Sequence, residues 1–360
     1  MGERTVIPFG PQHPVLLEPL HLDLVIEDEK VVKAMPSWGF VHRGLEKLAE
    51  KRDFIEFPFV AERICGVCSH SHGMAYTQAI EALMSLEIPV RAKYLRTILA
   101  EFSRINSHLL WLGLLANALG FESLFMHCWK LREKILDIVE ETTGGRVIFG
   151  ACRVGGVNRD IDAPTLARMS RLFTGMEKGF REIDGVFRKD YTVQKRLQET
   201  GALSRADAHL LGAVGPVAKG SGIPCDMRRL GYSVYNELDF QAVVETEGDS
   251  YARTSVRIKE IFQSVGLIQQ AIAKIPAGEV SMKITGLPPV GEHFEMVEQP
   301  RGEAVYYVKG NGTRFLERFR VRNSTFANIP ALLKILEGCE LSDVPMLILS
   351  IDPCISCAER

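Results

Sequence analysis

Residues 90–118 read VRAKYLRTILAEFSRINSHLLWLGLLANA, and the placement of their large apolar side chains sets the architecture. Leu95, Ile98, Phe102, Ile105, Leu109 and Leu112 recur at intervals of three and four, the repeat of one helical face. The spacing predicts a long amphipathic helix, and the chain around it predicts companions for its apolar stripe. Helices are expected over 70–86, over 122–142 with a stop at Gly144-Gly145, over 163–189 and over 249–275, with a shorter one over 42–52. Both flanks read differently. Residues 20–35 (LHLDLVIEDEKVVKAM) predict two short strands around the polar turn 27–30, and 303–309 with 314–322 flank Asn311-Gly312, a hairpin signal. The β-rich run Val344–Ile351 predicts a last strand leading to Asp352-Pro353-Cys354. The expected fold is α+β and mainly α, with a central bundle of long helices between small N-terminal and C-terminal β-sections. We read residues 1–360 as one domain, with a β-rich section over 1–60, a helical core over 61–280 and a β-containing section over 281–360.

Bulk properties narrow the function. At 360 residues and 46% hydrophobic composition the chain can bury a large core. A net charge of −2 supplies no general attraction to nucleic acid or an anionic membrane. The start, MGERTVIPFGPQHP, has no apolar core of a secretory signal. The most apolar stretch, 109–121, has 13 residues, short of the roughly 20 that span a bilayer, so no transmembrane segment is expected. No glycine loop of the Walker or Rossmann type appears, which argues against a directly bound nucleotide.

Two Cys-x-x-Cys pairs carry the chemistry: Cys65/Cys68 in RICGVC and Cys354/Cys357 in DPCISCAER, with 285 residues between Cys68 and Cys354. Zinc ribbons and fingers close over far shorter loops, roughly 12 to 20 residues. Four thiolates brought together suit a soft transition metal. The pairs alone leave structural zinc and an active metal equally open. The neighbours Glu62, Arg63, His72 and Asp352 shift the balance, because a closed structural site needs no ionisable surroundings. Cys128, Cys152, Cys225 and Cys339 stand singly and read as small apolar residues.

RICGVC followed by His72, together with the terminal DPCxxC, resembles the large, catalytic subunit of nickel–iron hydrogenases. GPQHP (10–14), HRGLEKL (42–48), IPVRAKYLRTILAEFSRINSHLL (88–110), RVGGVNRDI (153–161) and GDSYAR (248–253) resemble the related 49-kDa subunit of respiratory complex I. Both signatures in one chain point to the membrane-bound, energy-converting hydrogenases of the Ech and carbon-monoxide-linked types.

The resemblance implies a nickel–iron centre whose iron carries one carbon monoxide and two cyanides. It makes Cys65 and Cys354 terminal nickel ligands, and Cys68 and Cys357 ligands that bridge nickel and iron. The reaction implied is reversible, heterolytic conversion of H2 into protons and electrons, with Cys354 as a base for the proton. Glu18, in Leu17-Glu18-Pro19-Leu20-His21, matches the family's proton-gate glutamate. Arg301, in Gln299-Pro300-Arg301-Gly302, matches the arginine over the open metal site. Asp352 would orient that arginine or the cysteine loop, and His72 would donate a hydrogen bond to a bridging sulfur. His70 reads as local structure.

Two departures from the pattern stand out. Glu46 matches a ligand of a magnesium or iron ion whose histidine partner follows the last cysteine by three residues. That position is Arg360, which cannot ligate a cation, so an ion pair between Glu46 and Arg360 is expected in place of the metal. The second is Asn106-Ser107-His108, where many uptake hydrogenases carry an aspartate. Relatives of this type are cut just after the position of Arg360, so the sequence reads as a processed end or as one that never had a tail.

With four cysteines committed and four single, no iron–sulfur cluster is expected in this chain. The resemblance implies partners that carry electrons: a small subunit with a 4Fe–4S cluster, further iron–sulfur subunits and ferredoxin as the external partner. It also implies integral-membrane, ion-translocating subunits, with this chain peripheral on the cytoplasmic side. The competing reading is a complex I-like quinone-site or coupling subunit without its own metal. Those relatives lack the four cysteines, and their His-Pro-x-x-His-Gly motif reads His13-Pro14-Val15-Leu16-Leu17-Glu18 here, without a second histidine.

Overall fold

The computed structural model describes residues 4–360; the first three residues of the MGERTVIPFGPQHP stretch lie outside it. The chain enters through an antiparallel sheet of Thr5–Phe9 (β1), His21–Glu27 (β2) and Lys30–Ser37 (β3), in the order β1-β2-β3. In β2, Leu22, Leu24 and Ile26 alternate inward, the period-two pattern of a half-buried strand. Three helices follow, Leu45–Ala49 (α1), Pro58–Ala61 (α2) and Ser69–Leu83 (α3). Then come the long helices Val90–Ala118 (α4) and Glu122–Thr143 (α5).

A two-stranded ribbon, Cys152–Arg153 (β4) with Gly156–Val157 (β5), leads to Ala163–Lys189 (α6). Three short helices, Tyr191–Leu197 (α7), Arg205–Leu210 (α8) and Gly215–Gly220 (α9), precede Ser250–Lys274 (α10). The C-terminal part has an antiparallel sheet of Gly291–Gln299 (β6), Gly302–Gly310 (β7) and Leu316–Arg322 (β8). Ser324–Leu336 (α11), Val344–Ile351 (α12) and Ile355–Ala358 (α13) end it. The architecture is mainly helical with two small three-stranded sheets, as expected.

Caps explain the helix limits. Asp162 accepts from Thr165 N–H at 2.9 Å to start α6, and Asp249 from Ala252 N–H at 2.7 Å to start α10. Gly144, at φ 86°, ends α5 in the left-handed region that glycine adopts freely. The apolar stripe of α4 packs with α5, α6 and α10 into the largest core cluster. A second core lies among the N-terminal sheet, α11 and α12, and a third between α3 and the C-terminal sheet. The four paired cysteines form a cluster of their own. The polar face of α4 is buried as well. Glu101, Arg104 and His108 are at most 1% exposed, because α10 and the end of β6 supply partners for their charges.

One expectation fails. Val344–Ile351 is a helix, not a strand. Apart from Ser350 its residues are apolar on every side, and all but Pro345 are buried, so no period distinguishes strand from helix in the sequence. The indole N–H of Trp111 donates to Leu349 O at 2.8 Å and fixes the helix against α4. The second cysteine pair therefore follows a helix rather than a strand. Among the described residues, no helix is long and apolar enough to cross a membrane.

Candidate metal centre

Each cysteine pair sits where a helix is interrupted. A 3-10 turn over Glu62–Ile64 delivers Cys65, and α3 begins at Ser69, directly after Cys68. The backbone N–H groups of Val67 and Cys68 point at Cys65 Sγ, at 3.3 and 3.4 Å. At the other pair, Asp352 ends α12 in the left-handed conformation, φ 57°, unusual for a non-glycine residue. Pro353 then prevents the helix from continuing. Cys354 N–H donates to Thr325 Oγ1 at 3.0 Å, and Asn323 Nδ2 donates to Cys357 O at 2.5 Å, so the start of α11 holds this turn. Arg43 ties the two turns together. Its guanidinium donates to Arg63 O at 2.8 Å, Ile64 O at 2.9 Å and Ser356 O at 3.0 Å.

The sulfurs converge. Cys65 Sγ lies 3.3 Å from Cys354 Sγ, and Cys68 Sγ lies 3.5 Å from Cys357 Sγ. Cys65, Cys68 and Cys357 have their sulfurs within 4.8 Å of one another. No disulfide joins them, and none of the four is more than 5% exposed. Four buried, unoxidised thiols at one point are a donor set for a soft metal, so these residues fit a nickel–iron group. Their proton equilibria agree. Hydrogen bonding from Cys354, then from Cys357 and Cys68, holds Cys65 well below the ordinary thiol range. Cys357 is pushed well above it, first by its bond to Cys354 and then by Cys65 and Cys68. A bound cation removes that conflict and lets all four ionise.

Arg301 and Asp352 pair near the sulfurs. Arg301 Nη2 lies 2.9 Å from Asp352 Oδ1, and its Nε donates to Asp352 O at 3.0 Å. Burial opposes the guanidinium charge, but Asp352, Cys354 and Cys65 outweigh it and keep the group cationic. Arg301 Nη1 and Asp352 Oδ2 are buried without a protein partner, which leaves one donor and one acceptor for a bound group. His72 is fully buried, and desolvation lowers it to about 4, so the ring is neutral at pH 7. Tyr306 Oη meets Nδ1, and Nε2 lies 3.3 Å from Cys357 Sγ. The amide of Gln299 lies 3.2 Å from the same nitrogen. His70 instead meets Arg96 O at 2.9 Å, consistent with a local role.

Glu18 is half-buried at the rim. Ser356 N–H donates to its Oε2 at 2.8 Å, and Ser356 O–H bonds the other oxygen. With His13, Leu16 and Leu17 among others, Glu18 lines a cavity of about 400 Å³. Arg360 Nε donates to Glu46 Oε1 at 2.9 Å, and Arg320 pairs with the second oxygen. These partners and Val321 N–H overcome desolvation and hold Glu46 below the usual carboxylate value. Arg360→Ala is therefore expected to lower thermal stability modestly, by roughly 0.5–1.5 kcal/mol for a half-buried pair. Melting of the purified chain measures it.

Glu62, three residues before Cys65, is 1% exposed, and burial pushes it up to about 7 from 4.5. Between these values the folded chain holds a proton that the unfolded chain releases. Stability is thus greatest at acid pH and declines as pH rises toward 7, by on the order of 3 kcal/mol for this group. Glu62→Gln should remove that component, seen as a flatter pH dependence of unfolding in denaturant.

Several supports of the centre escape sequence reasoning. Arg43 lies within HRGLEKL, where nothing marks its role, and Asn323 and Thr325 open α11 as short polar residues of the kind that cap helices. Tyr306 carries no signal, since it reads as one more residue of an alternating strand.

The fold and this pocket define a large oxidoreductase subunit built around two distant cysteine turns. Residues 118–288 and 282–360 match the family described as the respiratory-chain NADH dehydrogenase 49 Kd subunit, and residues 43–121 match that of nickel-dependent hydrogenase. The chain is 39% identical to the carbon monoxide-induced hydrogenase of Rhodospirillum rubrum, over 98% of this chain and 99% of the relative. It is 37% identical to the alpha subunit of the membrane-bound hydrogenase of Pyrococcus furiosus, over 98% and 87%. It is 34% identical to an NADH-quinone oxidoreductase subunit of Chloroherpeton thalassium, over 100% and 88%. Among solved structures, a chain of the membrane-bound sulfane sulfur reductase, an archaeal respiratory membrane complex, superposes with TM-score 0.95 at 30% identity, over 99% of both chains. The chain belongs to the family that unites hydrogenase large subunits with the complex I 49-kDa subunit.

Proposed function

We propose that this chain is the catalytic subunit of a nickel–iron hydrogenase, interconverting H2 with protons and electrons. The observation that carries this reading is the meeting of both Cys-x-x-Cys pairs in one buried pocket near Arg301. Cys65 and Cys354 would be terminal nickel ligands, and Cys68 and Cys357 would bridge nickel and iron. Within these two sets the sulfurs lie 3.3 and 3.5 Å apart. When bound, the nickel–iron group supplies the redox chemistry and the open position at which H2 reacts.

The protein supplies the rest. Cys354 Sγ accepts the proton from heterolysis, beside a guanidinium that favours its ionised form. Arg301 keeps its own proton and stabilises negative charge in the dry pocket. His72 orients Cys357 and withdraws charge from its sulfur through one hydrogen bond. Glu18 takes the proton outward, since its carboxylate grips Ser356 two residues beyond Cys354 and the residue lines the cavity beside His13. Glu18→Gln keeps the shape without an exchangeable charge. It should cut turnover roughly 10²-fold in both directions at unchanged nickel content, and wild-type turnover would remove Glu18 from the path.

Electrons would pass to a small subunit with a 4Fe–4S cluster, then through further iron–sulfur subunits to ferredoxin. The chain would sit peripherally, on the cytoplasmic side of a membrane complex with ion-translocating subunits. The presence of membrane complexes among its relatives supports that placement. An infrared spectrum of the purified complex tests the central claim. Carbon monoxide and cyanide stretches are expected, and a metal-loaded sample without them would overturn it. That outcome would favour a quinone-site or coupling subunit, for which the cavity beside His13 is the supporting feature.

A further inference from the structure

Behind Arg301 lies a cluster of buried charge that the proposed chemistry does not use. α4 contributes Glu101, Arg104 and His108, α9 contributes Lys219, and α10 contributes Glu260. The turn after Cys225 contributes Asp226 and Arg228, and β6 contributes Glu298. None is more than 3% exposed. Burial holds His108 down at about 4, so it is neutral at pH 7, which leaves four carboxylates facing three cations. Arg257, one turn before Glu260, acts on Glu260 through its field alone and is not among the three. It lies over the Trp111 ring at 4.0 Å, donates to Arg253 O and makes no ion pair with the cluster.

The three cations are shared unequally. Glu101 receives Arg104 at 3.2 Å, Arg228 at 3.2 Å, Tyr235 O–H at 2.5 Å and Ser264 O–H at 2.6 Å. Asp226 receives Arg228 at 2.8 Å and Lys219 at 2.9 Å. Glu260 receives Lys219, Arg228 at 3.8 Å and, at 2.8 Å, His108. Glu298 has only the most distant reach of Lys219, at 3.2 Å, and the backbone N–H of Met227, at 3.0 Å. Arg104 acts on its carboxylate through its field and not through a hydrogen bond. Arg104 spends its Nη groups on main-chain carbonyls, Tyr232 O–H meets the Glu298 N–H, and Cys225 lies at the half-buried outer edge. The fourth carboxylate thus lacks a cation of its own.

Glu298 is also wired to the pocket. Arg104 donates to its carbonyl at 2.9 Å and to that of Gln299 at 3.1 Å, clamping the strand end that becomes Pro300-Arg301. The Gln299 amide reaches His72. A charge appearing on Glu298 acts on Arg104 and Lys219, and through them on the backbone that aims Arg301.

We propose that Glu298 is a proton-holding positioning residue, exchanging one proton with solvent across the Cys225 edge and coupling its charge to the placement of Arg301 near the four cysteines. Burial, then Asp226, raise its carboxyl to about 7, which puts the exchange near neutrality. The coupling half of the proposal rests on the metal-centre reading above; the proton-holding half does not.

The test is infrared difference spectroscopy of the full chain in its complex, titrated across neutral pH in H2O and D2O. A Glu62→Gln background is used because Glu62 titrates in the same range. The C=O stretch of a protonated carboxyl should fade with a midpoint near 7, shift in D2O and be missing after Glu298→Gln. Any carbon monoxide and cyanide stretches should shift with the same midpoint in the parent and not in the variant. A titrating band that survives Glu298→Gln, or no such band, overturns the proposal. Should Glu298→Gln fail to accumulate, Glu298→Asp keeps an acid at altered reach and must move the band or its midpoint; an unmoved band is equally fatal. A parent that lacks the carboxyl band but shows the metal-ligand stretches removes Glu298 alone, and the reverse removes the nickel–iron reading alone.

Discussion

Replacing Cys354 by serine should reduce hydrogen turnover to background and strip nickel from the purified complex. The position is the most demanding in the pocket. Its sulfur lies 3.3 Å from Cys65 Sγ, near a guanidinium that Asp352 first, and then Cys354 and Cys65, keep cationic. A serine hydroxyl does not ionise at neutral pH, even with that help, and its oxygen is a hard donor where a soft one is required. Losing an outer-sphere partner of a metal site costs roughly 10–100-fold, so losing a ligand that also serves as base should exceed that range. Cys339→Ser, at a half-buried cysteine far along the chain from the first pair and outside the sulfur cluster, should keep both nickel and turnover. Metal analysis alongside an assay of H2 uptake and evolution gives the answer. A Cys354→Ser complex with normal nickel and normal rates would remove this residue from the centre.

Arg301→Lys should separate charge from shape. Lysine retains a positive charge beside the sulfurs, so nickel should load normally. It cannot donate at once to Asp352 O and Asp352 Oδ1 while aiming a further N–H into the pocket, as the fork of Arg301 does. Turnover is expected to fall by roughly 10²–10³-fold, the scale on which a single aimed donor matters. The infrared stretches of the iron ligands should survive, slightly shifted. Turnover at the wild-type rate would mean that a positive charge near the sulfurs is enough.

The helical core was legible because its signals are local. The three-and-four spacing within 90–118 and 163–189 gives the bounds of α4 and α6, and Gly144 marks the end of α5. The two strands around the turn before Lys30 also show in the sequence, since Leu22, Leu24 and Ile26 alternate. β6 carried no such signal, for a physical reason. Its alternation is inverted, with Phe294 and Met296 exposed and His293 and Glu295 turned partly inward. α12 failed the opposite way, as an apolar run interrupted only by the buried Ser350, with no exposed polar face to give its period.

The paired cysteines were visible as residue types at a telling spacing. Arg43, which ties their two turns together, and the cluster around Lys219 were not. These act through contacts between residues far apart in sequence, such as Arg43 with Ser356 and Lys219 with Glu298, and a lone arginine or lysine announces neither burial nor partner.

The span between the two cysteine turns bears on folding as well. A cross-link joining residues 68 and 354 encloses 285 residues, and the length-dependent entropy of closing such a loop is about 5 kcal/mol, against about 2.7 for a loop of ~20 residues. A metal held by both turns therefore acts as a long-range staple on the denatured ensemble. Without it, the final turn is held by side-chain contacts of Arg43, Asn323, Thr325, Glu18 and Glu46, and these oppose its release while the helical core stays folded. Loading the site would convert two separately reversible steps into one, so the filled protein should resist proteolysis near residue 350 until it unfolds as a whole.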